Sequence, residues 1–260
     1  MRIPVNFHMT FPPTPVYIGR LLQIADGTQR TVAEIAELTG IPEGKSTGKV
    51  KPHIYYAVLM GLIGGETFTR TQLGQTVWQE DGILAEKLTQ LLCHVRLTSV
   101  TGSAIWHFLF RKLLPENNGS IGLSALSEAM QREFGPTVKY VPAITTYTKQ
   151  FTKIGIINAD HERLEVIPVP VERDMSYVYA YALLYEWEAV YADKLEITET
   201  ELSELGFSSA FGWSRQTMND VLTALEKLGV IRVNRQLVPF TVQKISSSNL
   251  VVPKLYSLLL

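Results

Sequence analysis

Cys93 is the only cysteine in the 260-residue chain, which excludes an internal disulfide framework and fits a reducing compartment. Charge is also sparse. Charged residues make up 19%, and 24 basic against 25 acidic residues leave a net charge of −1. A protein that grips DNA along its whole surface is normally basic, so any nucleic-acid contact here has to be local or shared with a partner. No run reaches the ~18 apolar residues that a membrane-spanning helix needs. The opening MRIPVNFHMTFPPTP has no basic region followed by a long apolar stretch, so it does not read as a signal peptide. The expectation is a soluble, cytoplasmic protein with no membrane segment. Its hydrophobic content of 46% is ample for packed cores and argues against extensive disorder.

Catalytic signatures are missing as well. The five histidines, His8, His53, His94, His107 and His161, are scattered. Cys93-His94 is one adjacent pair with no second pair, which is not the spacing of a structural zinc site. Cys93 lies in an apolar stretch and reads as a buried side chain. No serine has a nucleophile-elbow context, and no acidic cluster suggests a two-metal site. The segment Glu43-Gly44-Lys45-Ser46-Thr47-Gly48-Lys49 resembles a phosphate loop only at a glance: Thr39 stands where the first glycine of that motif would have to be. The expectation is therefore a protein that is not an enzyme, with no catalytic residue, metal or cofactor.

What the chain does have is one junction written three times: Met60-Gly61-Leu62-Ile63, Ile154-Gly155-Ile156-Ile157 and Leu228-Gly229-Val230-Ile231. Each follows an amphipathic stretch, and glycine closes a helix by taking the left-handed conformation other residues avoid. This is the passage from recognition helix to wing in winged-helix proteins. The predicted fold is mainly α with small β wings, as tandem winged helix-turn-helix units joined by helices. The chain is long enough for three units of roughly 70 to 90 residues. They divide as 1–82, an N-terminal arm and the first unit; 83–172, a helical linker and the second unit; and 173–260, the third unit with an apolar C-terminal tail.

Local signals place the elements. The Pro-rich opening reads as an extended arm or linker. Thr31 with Glu34, and Thr198 with Glu201, are capping boxes, and Ser214 caps SRQTMNDVLTALEKLG. Pro52 complicates the third helix, since an interior proline removes a hydrogen bond; either the helix starts at Lys51 or it is bent. Val141, Ile144, Tyr147, Phe151 and Ile154 recur at helical spacing. IINADHERLEVIPVPV and IRVNRQLVPFTVQKI read as hairpins. The aromatic run Tyr177, Tyr179, Tyr181, Tyr185, Trp187 and Tyr191 reads as core and inter-unit packing. The tail NLVVPKLYSLLL has to pack within the chain or on a partner.

Double-stranded DNA is the first partner these helices suggest. Lys45, Lys49 and Lys51 cluster at the start of the first recognition helix. Ser46 and Thr47 can donate to phosphate, a helix N-terminus favours anions, and His53 and Tyr56 are expected on the outward face. Arg70 adds to the positive charge of this segment. In the second unit Lys149 lies in an outward set with Lys139, Tyr140, Thr145, Thr146 and Lys153. In the third, Ser214, Arg215, Gln216 and Asn219 occupy the first turns of the recognition helix, with Arg232 and Arg235 on the wing. Arg, Gln and Asn are the side chains that read guanine and adenine in the major groove. The alternative is a protein–protein adaptor that never touches DNA, favoured by the near-neutral charge and the apolar tail. A subunit active only with its partner is a third.

The block FHMTFPPTPVYIGRLLQIADG, followed by TVAEIAELTGIPEGKSTGKVKPHIYYAVLMGLI, resembles an uncharacterised prokaryotic family defined as a domain of unknown function. Its members are often encoded near DNA sulfur-modification (phosphorothioation) or phage-defence genes. The resemblance implies service in such a system, beside possible protein partners, and carries over no site residues.

Overall fold

The computed structural model describes residues 3–44, 48–236 and 238–259. It is mainly helical with small antiparallel sheets. The first part holds α1 (Pro15–Ile24), α2 (Val32–Thr39), α3 (Val50–Leu59) and α4 (Gln72–Asp81). Two isolated bridges, Asp26 to Thr69 and Ile63 to Arg70, stand where a small sheet would be. The capping box on α2 forms as Thr31 and Glu34 predict. Pro52 falls in the first turn of α3, because the helix starts at Val50. There its missing N–H is one that no helical carbonyl could have taken, so the helix runs on without a bend.

Helix α5 (Lys87–Thr98) leads into α6 (residues 104–116), a helix interrupted by a π-turn at Phe108–Leu113. Strand β1 (Ser120–Gly122), α7 (Leu123–Phe134), α8 (residues 141–150), β2 (Ile157–Ala159) and β3 (Arg163–Val166) complete the middle part. The last part is α9 (Ser176–Val190), β4 (Glu196–Thr198), α10 (Glu199–Glu204), α11 (Arg215–Lys227), β5 (Ile231–Asn234), β6 (Thr241–Lys244) and α12 (Ser248–Val251). Middle and last parts share one connectivity, helix–strand–helix–helix–strand–strand. Their sheets have the same antiparallel order, β1-β3-β2 and β4-β6-β5. The first part follows that order too, with bridges in place of strands.

All three repeated glycines are left-handed, with φ of 69° at Gly61, 64° at Gly155 and 70° at Gly229. Their surroundings differ. A Cβ on Gly61 would lie 2.7 Å from Nη2 of Arg96, whereas Gly155 and Gly229 face open space. Gly61 therefore serves both the helix stop and a close approach of α5.

The core is continuous across the three parts. Helix α9 is buried on nearly every face between Val178 and Trp187, as a helix apolar all round should be, and it packs against α5 and α12. Of the aromatic run, Tyr179, Tyr181 and Trp187 are buried, which is the packing role the sequence predicts. Helix α5 also buries Thr89, Gln90, His94 and Thr98, each with a hydrogen-bond partner. Thr89 Oγ1 lies 2.7 Å from the Tyr256 hydroxyl, which ties the C-terminal tail into the chain. His94 joins the middle and last parts: its Nδ1 is 2.7 Å from the Tyr147 hydroxyl on α8, and its Nε2 is 2.6 Å from the Ala210 carbonyl. Since a carbonyl only accepts, Nε2 carries the proton and Nδ1 accepts from the tyrosine. Arg111 on α6 pairs with Glu186 on α9 at 3.0 Å, both almost fully buried, and donates to the Gly206 carbonyl. Among the described residues no helix is long and apolar enough to cross a membrane.

Candidate nucleic-acid interface

Three helices, α3, α8 and α11, occupy the same place in the repeated connectivity, and the predicted DNA contacts lie on or beside them. Of those near α3, Lys45, Ser46 and Thr47 fall outside the described residues. Lys51 is exposed, and Lys49 is half-buried with its ammonium 5.2 Å from the centre of the Phe11 ring.

His53 and Tyr56 have to be corrected, because both are fully buried. The segment before α1 folds over the face of α3 that spacing alone left open. Thr14 N–H donates to His53 Nε2 at 3.0 Å, while His53 Nδ1 donates to the Lys49 carbonyl at 2.7 Å. Burial pushes the imidazole down to about 4, so the ring is neutral at physiological pH. Tyr56 donates its hydroxyl to the Phe11 carbonyl at 2.9 Å, and its ring meets Phe7 and Trp106 edge-on. Arg70 is committed internally as well. It donates to the Leu22 carbonyl at 2.6 Å and to Gln75 at 2.8 Å, and stacks over Trp78. Those contacts hold the bridge region against α1 and α4 instead of presenting the guanidinium outward.

On α8, Lys149 is exposed, as are Lys139 before the helix and Lys153 after it. Thr146 is not outward: it is buried and donates to the Pro142 carbonyl at 2.7 Å.

Helix α11 carries the best-formed surface. Ser214 is its N-cap and accepts the Thr217 N–H at 3.1 Å. Arg215 and Gln216 are exposed and Asn219 is half-exposed. With the β5–β6 hairpin they line a cleft of about 400 Å³ that also includes Glu199, Asp220, Arg235 and Phe240. Sequence reasoning missed how these charges pair. Arg215 is bonded to Glu199 at the start of α10, and Gln216 donates to Asp220 at 3.1 Å. Arg235 meets Glu226 at 3.2 Å and Thr223 at 2.9 Å. Glu226 also accepts the Val233 N–H, and this backbone bond is the main reason its carboxyl sits below the usual range. Arg232 is exposed on β5 and lines the cleft on the other side of the hairpin. The cleft is thus polar and nearly charge-balanced, with arginines that must leave a carboxylate before they can take a phosphate.

The N-terminal arm was also missed, having read as an extended linker. Phe7 and His8 are buried. Asn6 acts as a backbone mimic toward the turn before α8, donating to the Thr137 carbonyl at 3.1 Å and accepting the Lys139 N–H at 2.9 Å. The arm therefore ties α3 to the start of α8.

No protein-family model matches the chain, and comparison with curated proteins gives no match. Two solved structures share its fold. The magnesium ion-bound crystal structure of SspB superimposes with a TM-score of 0.73 at 16% identity, over 97% of this chain and 87% of that one. A second SspB crystal structure gives 0.72 at 17% identity, with the same coverage. At such identity the likeness is one of fold. Among the described residues no group of three or more His, Cys, Asp or Glu side chains converges to hold a metal ion.

Proposed function

We propose that the chain is a non-enzymatic, DNA-binding accessory or regulatory protein of a DNA-modification system. In this reading the three helix–strand–helix–helix–strand–strand segments are winged helix-turn-helix units, with boundaries near residues 82 and 172. The observation that carries it is α11: a Ser-capped helix whose exposed first turns hold Arg215, Gln216 and Asn219 beside a hairpin bearing Arg232 and Arg235. Those side chains suit base edges and phosphates of a duplex major groove. Lys49 and Lys51 at α3, and Lys149 on α8, supply positioning contacts to phosphate. The DNA-modification context fits both the N-terminal block's resemblance and the fold shared with SspB.

The pairing of Arg215 and Arg235 with Glu199 and Glu226 favours a second reading, in which the third unit docks a protein of the same system and never meets DNA. Fluorescence anisotropy with labelled duplex at several salt concentrations separates the two. DNA binding predicts an affinity that falls steeply as salt rises, with a log–log slope of about −0.9 for each phosphate contacted. Lys49→Glu/Lys51→Glu should weaken it on every sequence, and Arg215→Ala should relax sequence preference. Absence of any shift at low salt removes the DNA reading and leaves the adaptor.

A further inference from the structure

The arm contains a conformation that its own sequence does not favour. Met9 and Thr10 are consecutive non-glycine residues in the left-handed region, with φ of 48° and 78°. A β-branched residue there is a genuine outlier. The surroundings enforce it. His8 is buried and accepts the Thr10 N–H at 3.2 Å on Nδ1; Phe11 N–H bonds the His8 carbonyl at 2.8 Å. Phe7 is wedged against Tyr55 and Tyr56. Buried Phe7 and His8 before the two residues, and half-buried Phe11 after them, leave the tip outward, with Met9 40% exposed and Thr10 exposed beside it.

Three lysines belong to segments next to this tip. Lys139 is bonded through its backbone to Asn6. Lys51 lines with Met9 a groove of about 600 Å³ whose other walls include Val50 and Glu43. Lys49 lies over Phe11. Segment 3–14 itself has no acidic residue. Among the described residues, Lys51 and Lys139 make no ion pair, unlike Arg215 and Arg235 of α11. An apolar tip beside lysines that make no ion pair suits an architectural DNA contact, where phosphates meet the cations and an apolar side chain enters the groove. Strain retained at an exposed tip by buried anchors is also how binding elements are pre-organised.

The geometry points to the Met9–Thr10 tip as a DNA-groove contact, flanked by Lys51 and Lys139 and joining the first two units into one duplex-binding face; this rests on the DNA-binding reading above. The assay is anisotropy of the full chain on a labelled duplex across a salt series. Met9→Ala should weaken binding by ~5-fold or more at every salt concentration, leaving the slope unchanged because no phosphate contact is lost. Lys51→Gln and Lys139→Gln should each make the slope shallower by about one. Thr10→Gly keeps the left-handed backbone without a side-chain clash, so it folds whatever Met9→Ala does. It should loosen the tip and weaken binding by ~2-fold or more through lost pre-organisation. Tip variants that bind as wild type, on a duplex the wild type does bind, overturn this inference alone. A wild type that binds no duplex overturns it together with the DNA-binding reading.

Discussion

Acid should unfold this protein through its buried histidines. His8, His53 and His94 are each fully buried. Burial, the main cause in each case, pushes the first two down to about 4 and the third to about 3, from an ordinary 6.5. The unfolded chain takes up these protons first as pH falls, so the native state is undiminished above pH 6.5 and loses stability from there toward 4. At 1.36 kcal/mol per pH unit and proton, a histidine held near 4 costs about 3 kcal/mol when the whole window is crossed. Three acting together give a limiting slope of about 4 kcal/mol per pH unit near pH 5, against a total stability of roughly 5–15 kcal/mol. His107, also lowered by burial, adds to this loss. Glu186, raised by burial, takes up its proton before the unfolded chain does and offsets part of it. Carboxylates held below their usual range, such as Glu201 at about 2, act only at lower pH. The assay is urea unfolding followed by tryptophan fluorescence, in steps from pH 8 to 5. Stability should be flat above pH 7 and then fall steeply, and His53→Gln should lower the slope by one proton. A free energy unchanged between pH 7 and 5 would refute the burial and tautomers assigned to these rings.

Four other substitutions read separate parts of the structure. Glu186→Ala leaves the Arg111 guanidinium buried without its carboxylate and should cost about 3–5 kcal/mol, seen as a lowered Tm; a Tm within a degree of wild type would contradict the pairing. Gly229→Ala should cost about 1–2 kcal/mol for a left-handed alanine with room around it. Gly61→Ala should cost distinctly more, because its Cβ also meets Arg96; equal losses in denaturant midpoints would remove that contact from the account. Glu199→Gln releases Arg215, so duplex affinity should rise roughly 2- to 5-fold under the DNA reading; a fall or no change would speak for the adaptor.

The elements were legible wherever the signal was local. Capping boxes at Thr31 and Thr198, the Ser214 cap and the left-handed glycines all depend on neighbours within a few residues, and all appear. The candidate site was legible only in part. Lys51, Lys149, Arg215, Gln216 and Arg232 lie exposed as expected, but α11's arginines meet carboxylates that spacing gave no reason to pair with them. Glu199 sits on another helix, 16 residues before Arg215.

Local spacing thus determined that helical segments run three times through glycine into extended backbone, and twice into a hairpin, because helix period, capping and chirality are properties of short segments. Which side of each helix stays free was decided by tertiary structure. His53 is silenced by Thr14, 39 positions away, and Tyr56 by Phe11, 45 away. The same arm crosses to Thr137, 131 residues from Asn6. Burial depends on which distant segment arrives at a surface, and no periodicity in the helix itself encodes that arrival.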